Sequence, residues 1–287
     1  MLDALLAVRN ELSVLPPPIV VFNKSHSGSR LLGQLIEADG VFFGAHQNES
    51  SDSLDLLRLV EHLVVHHYPG FEALWECGPE SDAALVPLIR SVFSDHLAGY
   101  DRAARGRWGW KLCETLHVLP VIDFLFPGAR FLHLVRDGRD VAFCDHVPPN
   151  NPFRKKLYFN TDRIDGWRGL RFHRSDYERR SHVFNALHWA NSVNVGRAYG
   201  AMLRERCIEV RYEALCNDFR ATGTRVLQFI GSTDPAGTLG RIQPAVYASS
   251  VGKHRKQPWW RRWEVRRWIG PTLASFGYTE DQPAVPD

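Results

Sequence analysis

Apolar positions along this chain follow two different spacings. Ile19, Val20, Val21 and Phe22 form an unbroken run rich in β-branched residues, the pattern of a short strand buried on both faces. A polar turn spans residues 23–30, after which Leu31, Leu32, Leu35 and Ile36 recur at helical spacing. Strand-like runs return at 40–44, 108–112, 129–135 and 207–212, that at 129–135 being the clearest of the later ones. Leu54, Leu57, Val60, Leu63 and Val64 predict an amphipathic helix, as do the patterns at 1–15, 118–126 and 183–203. Residues 69–105 read as helical and surface-rich, with turns at Pro69-Gly70 and Gly78-Pro79. A short helix beginning at Val226 is expected to stop at Gly231. Strands alternating with helices predict an α/β protein with a central parallel sheet flanked by helices. One domain over residues 1–287 is expected, with a basic, aromatic-dotted insertion at about 145–180 that is either a binding loop or a solvated surface.

Composition narrows this picture without redirecting it. A net charge of +3 over 287 residues does not demand a nucleic-acid partner. The five cysteines are scattered with no C-x-x-C pair, so a disulfide framework or zinc knuckle is not expected and a reducing, cytoplasmic setting is. The N-terminal stretch mixes apolar and charged residues unlike a secretion signal, and no run reaches the ~20 apolar residues of a membrane span.

Three stretches carry candidate chemistry. The first is the small-residue turn between the 19–22 strand and the 31–36 helix. Backbone N–H groups at a helix N-terminus, with Lys24, His26 and Arg30 beside them, favour an anion, most often a phosphate. The plain alternative is a turn whose Ser and Gly serve only geometry and capping. It is not the ATP-type loop G-x-x-x-x-G-K-[ST], since only Gly28 is present and no Lys follows it. The second is residues 134–141, where Arg136 and Arg139 stand just past the end of a strand, the edge at which ligands gather in open α/β sheets. Guanidinium groups there can grip phosphate through paired donors, or form an Arg–Asp surface network. The third is SSVGKHRK at 249–256, a loop of Ser, Gly and cations.

Other features invite a bland reading. His62 and His66 stand at i and i+4, the spacing of a zinc pair, but Leu63 replaces the Glu of H-E-x-x-H and no third ligand is signalled. Trp259, Trp260, Trp263 and Trp268 alternate with arginines. That pattern suits a nucleic-acid or membrane surface, but more simply a terminal helix packing its aromatics under arginine stems.

Taken together, SHSGSRLL at 25–32, FLHLVRDGRDVA at 131–142, VRYEAL at 210–215 and SSVGKHRK at 249–256 resemble the sulfotransferase superfamily. The spacing is most similar to the branch with the bacterial and tyrosylprotein-type enzymes. The resemblance implies a P-loop-kinase-like α/β fold and 3′-phosphoadenosine 5′-phosphosulfate (PAPS) as sulfuryl donor. It implies that Ser27, Gly28, Ser29 and Arg30 hold the phosphosulfate. Relatives carry Lys or Arg directly before the Ser-Gly pair; this chain has His26 there and Lys24 two residues earlier, and either can take that role. Arg136 matches the 3′-phosphate arginine, Cys144 stands where a serine usually joins it, and Lys253 and Arg255 match the late loop that closes over the nucleotide. Lys111 matches a lysine that approaches the transferring group. For the base that takes the acceptor proton the resemblance points to Glu49, with His46 next and Glu114 also near.

The implied activity is sulfuryl transfer to a hydroxyl or amine of a small-molecule or carbohydrate acceptor, with fixed cations in place of a metal. The rivals are a P-loop nucleotide-dependent kinase and a non-catalytic anion- or nucleic-acid-binding module.

Overall fold

A computed structural model describes residues 1–68, 70–76, 78–146, 150–159, 174–242 and 250–278. Four strands, β1 (Ile19–Asn23), β2 (Gly109–Lys111), β3 (Arg130–Val135) and β4 (Cys207–Arg211), form one sheet in the order β2-β1-β3-β4. Every pairing is parallel, with Val20 opposite both Trp110 and Phe131.

The run at 19–22 shows why this sheet needs helices on both faces. Successive side chains of a strand point to opposite sides. Val20 and Phe22 enter one core with Leu5 and Val8 of α1 (Leu2–Leu12) and with Leu59, Val60 and Leu63 of a later helix. Ile19 and Val21 enter the other core with Leu31, Leu32, Leu35 and Ile36 of α2 (Ser29–Ala38). That later helix is α3 (Leu54–His66), whose N-terminus is capped by Ser53 Oγ accepting from the Leu56 N–H. All of β1 is buried.

The expected strand at 40–44 is not formed. Phe42 makes a single bridge to Trp108, and Gly40 and Gly44 on either side take φ +84° and +98°. Those turns bend the backbone away before pairing can extend. The expected short helix at 226 begins earlier, as Phe219–Phe229, because Asp218 caps it by accepting from the Ala221 N–H. The basic insertion contains the helix Pro152–Phe159 and the start of the long helix Arg174–Leu203; its residues 147–149 and 160–173 lie outside the described residues.

The C-terminal helix Trp259–Ser275 departs from the expected packing. Trp268 rests against the core, but Trp259, Trp260 and Trp263 are 72, 45 and 58% exposed. Helical spacing turns Val265, Ile269 and Leu273 inward, leaving those three on the outer side. No helix among the described residues is long and apolar enough to cross a membrane.

Parallel pairing brings the ends of all four strands to one edge of the sheet. Lys24, Lys111, Arg136 and Tyr212, which close β1, β2, β3 and β4, therefore emerge side by side.

Candidate active site

The β1–α2 loop is wound tightly. Ser27 donates both its N–H (3.2 Å) and its hydroxyl (2.6 Å) to Lys24 O. His26 takes φ +67°, a region few residues with a side chain enter, and Gly28 takes φ +83°. Glycine is needed at 28 on a second count, because a Cβ there would lie 2.2 Å from the Tyr212 ring. Gly28 is the N-cap residue of α2, with no side-chain cap hydrogen bond among the described residues, and Gly28, Ser29 and Arg30 line the cavity described below.

Two of the loop's cationic candidates differ in electrostatics. Lys24 is buried, and burial lowers its ammonium to about 8; it donates to Ser25 Oγ and approaches His146 Nδ1 at 3.4 Å. His26 keeps an exposed face, yet packing of the loop about its ring, helped by Lys24, Lys253 and Arg136, lowers it to about 4. At neutral pH Lys24 therefore carries the charge and His26 does not. Arg30 is exposed and reaches Ser50 Oγ at 3.1 Å.

Arg136 ties this loop to the late one. Its guanidinium donates to His26 O at 2.9 Å and to Ser250 O, and stacks over Tyr212 at 4.8 Å from the ring centroid. Its buried Nε has no hydrogen-bond partner among the described residues. Arg139, its neighbour in the motif, is spent on Asp137 through Nε (3.0 Å) and Nη2 (2.7 Å). Asp140 is fully buried and accepts from Gly252 N–H (2.7 Å), His254 N–H (2.9 Å) and His254 Nδ1 (2.6 Å). Burial works against that carboxylate, but the His254 bonds and Arg136 hold it below its ordinary range. Lys253 Nζ stands 2.8 Å from Cys144 Sγ, so the cysteine in the serine position faces the late loop. Arg255 is exposed beside Gly252, and Ser249 lies outside the described residues.

Next to the β1–α2 loop opens a cavity of about 340 Å³. Lys111 reaches it from the end of β2, fully buried, with Nζ 3.5 Å from Ser29 Oγ and 2.6 Å from Asp52 Oδ1. The loop bearing Asp52 is held there because Ser53 N–H donates to Lys111 O at 2.9 Å. Glu114, Cys113, His146, Arg154 and His188 complete much of the wall. Burial, reinforced by the negative charge of Asp52, raises the Glu114 carboxyl above its ordinary value. His146 donates Nε2–H to Val141 O at 2.9 Å, which leaves its Nδ1 lone pair toward the Lys24 ammonium. Burial, with that ammonium, pushes its pKa down to about 2.

Glu49 and His46 lie elsewhere in the same polar loop. Both are exposed and neither lines the cavity; His46 Nδ1 pairs with Asp55 at 3.1 Å. Asp52 and His188 carried no motif signal, and His146 was marked only by falling at the start of the 145–180 stretch. Arg154 was marked as one of the basic residues of that stretch.

Comparisons with known proteins agree with this architecture. A family model described as the sulfotransferase family matches residues 1–235. A search of curated proteins gives no significant match. The sulfotransferase domain of a Synechococcus olefin synthase superposes with a TM-score of 0.51 at 18% identity, over 92% of this chain and 96% of that one. The sulfotransferase domain from the curacin biosynthetic pathway gives 0.50 at 15% identity, over 92% and 99%. At such identities the structural likeness speaks for the fold, a P-loop-kinase-like parallel sheet flanked by helices.

Proposed function

The chain belongs to the sulfotransferase family, and from that premise we propose that it moves a sulfuryl group from PAPS to a hydroxyl or amine of a small-molecule or carbohydrate acceptor. The observation that carries this reading is Arg136. One guanidinium joins the β1–α2 loop to the late loop and keeps a buried Nε with no partner among the described residues, as an anion-binding arginine would. The residues fit a donor phosphorylated at both ends of its nucleoside. The uncapped N-terminus of α2, with Lys24 and Ser29, suits the phosphosulfate; Arg136, Lys253 and Arg255 suit the 3′-phosphate.

In this scheme the acceptor oxygen forms the new bond to sulfur as the bond from sulfur to the phosphate oxygen breaks. Lys111 and the α2 N–H groups stabilise charge on the sulfuryl and leaving oxygens. We assign the acceptor's proton to Glu114. It lines the cavity beside Lys111 and its carboxyl is raised, which strengthens it as a base. Asp52 is engaged by Lys111, and Glu49 and His46 face solvent.

Binding and turnover both test this reading. Adenosine 3′,5′-bisphosphate should raise the melting temperature, while ATP with magnesium should not; the reverse result favours a kinase. Steeply salt-dependent binding to RNA or anionic vesicles, without any response to the bisphosphate, favours a binding module. With labelled PAPS and a panel of acceptors, Glu114→Gln should keep bisphosphate binding and lower kcat by about 100-fold or more. If Glu49→Gln has that effect and Glu114→Gln does not, the base is Glu49.

A further inference from the structure

Three side chains converge where the end of α3 meets the turn Pro79–Asp82, away from the donor cleft. His62 Nε2 lies 2.6 Å and His67 Nε2 2.7 Å from one oxygen, Asp82 Oδ2. All three donor atoms fall within 4.8 Å of one another. Their side chains are 17, 15 and 9% exposed, shielded yet open to an ion from solvent.

Helical spacing alone pairs His62 with His66. The helix ends at His66, however, and the following residue, His67, takes φ −124° as its C-cap. His62 and His67 then both reach Asp82, supplied from outside the helix. The third ligand that the sequence did not signal is thus present, and one of the first two is a different histidine. His66 stays beside the group, its ring centroid 4.6 Å from that of His62.

Hydrogen bonding among three such groups is one way to satisfy them. Two imidazole nitrogens and a carboxylate oxygen are also the donor set preferred by zinc-class ions rather than by magnesium or calcium. In a tetrahedral site with bonds of about 2.0–2.2 Å, ligand atoms sit roughly 3.3 Å apart, so each N···O distance need open by only about 0.7 Å. We propose that His62, His67 and Asp82 bind one divalent transition-metal ion that clamps α3 to the 79–82 turn.

The clamp has a structural consequence. Between His67 and Asp82 the chain carries Tyr68, Phe71 and Trp75, which line a largely apolar cavity of about 500 Å³ with Leu116 and His117. His117 in turn stacks on His188, 5.9 Å between centroids, and His188 lines the cavity beside Lys111. Fixing this stretch would fix the outer wall of a chamber next to the proposed reaction site. The ion takes no part in sulfuryl transfer, so this proposal stands or falls apart from the assigned activity.

The test uses the tag-free full chain, stripped of metal with a chelator. Zinc chloride titrated against a chromophoric chelator should reveal one saturable site per chain, and Co²⁺ should develop the visible bands of a low-coordinate site. His62→Gln, His67→Gln and Asp82→Asn should each weaken zinc binding by about 100-fold or more, and His66→Gln by about threefold at most. Melting curves of the metal-free variants establish that each still folds. A wild-type chain with no saturable zinc site overturns the proposal, as does binding that survives unchanged in the three folded ligand variants.

Discussion

The two halves of the proposed donor cleft are built by opposite means. The phosphosulfate half is local: β1, its loop and α2 are consecutive in the chain, and the loop's hydrogen bonds close over a few residues. The 3′-phosphate half is a junction of segments more than a hundred residues apart, held by Arg136 to Ser250 and by Asp140 to Gly252 and His254. The local half is strained and lines the cavity. The distant half is heavily cross-linked and fully buried at Asp140. Strain at the loop is stable only because surrounding packing enforces it. The contrast suggests that chemistry is poised at the first half, while the second fixes where the nucleotide can lie.

Substitutions that attack each half should therefore fail differently. Gly28→Ala should have the largest effect. It forces a side chain into a left-handed backbone and against the Tyr212 ring, costing about 3 kcal/mol or more and abolishing bisphosphate binding. Chemical denaturation and calorimetric titration would read both losses, and a neutral result would mean the loop is not wedged. Arg136→Ala should weaken bisphosphate binding about 100-fold and lower the melting temperature, since His26 O and Ser250 O lose their donor together.

Asp140→Asn should be milder, about tenfold in bisphosphate Kd with kcat at saturation little changed, because it loosens the junction without touching the loop. The same carboxylate gives a pH signature. Its value in the folded chain lies below the unfolded one, so its contribution to stability is present above the unfolded value and is lost as pH falls through the folded one. Acid denaturation of Asp140→Asn should lack that component.

The smallest effect separates Lys24 from His26. An anion favours the charged ammonium, so bisphosphate binding should weaken as pH rises past about 8, the value for Lys24 in the ligand-free chain. That slope should vanish in Lys24→Met. His26, lowered to about 4, should add no slope near pH 6.5. A slope there that His26→Gln removes would give the donor contact to the histidine.

The same contrast explains what could be read from sequence. β1, α2 and their loop were legible because pattern and contact coincide in a short stretch. The run at 40–44 looked like a strand because period and propensity ignore Gly40 and Gly44 turning the backbone away. Arg136 was legible as a candidate for holding an anion, but its bridge to Ser250 was not, since nothing in either segment names the other. Asp52 and Glu114 become cavity-wall carboxylates only once β2 is paired with β1 and Lys111 is drawn to the loop. Polar loop residues carry no periodicity, so nothing along the chain marks which of them face the cavity.

Tyr212 sits beneath Gly28 and against Arg136 with a single ring. Neighbouring parts that share one support do not vary independently. Retuning this cleft for a different nucleotide would thus require paired changes around that aromatic, and a double-mutant cycle between positions 28 and 136 should show a sizeable interaction energy although the two are distant in the chain.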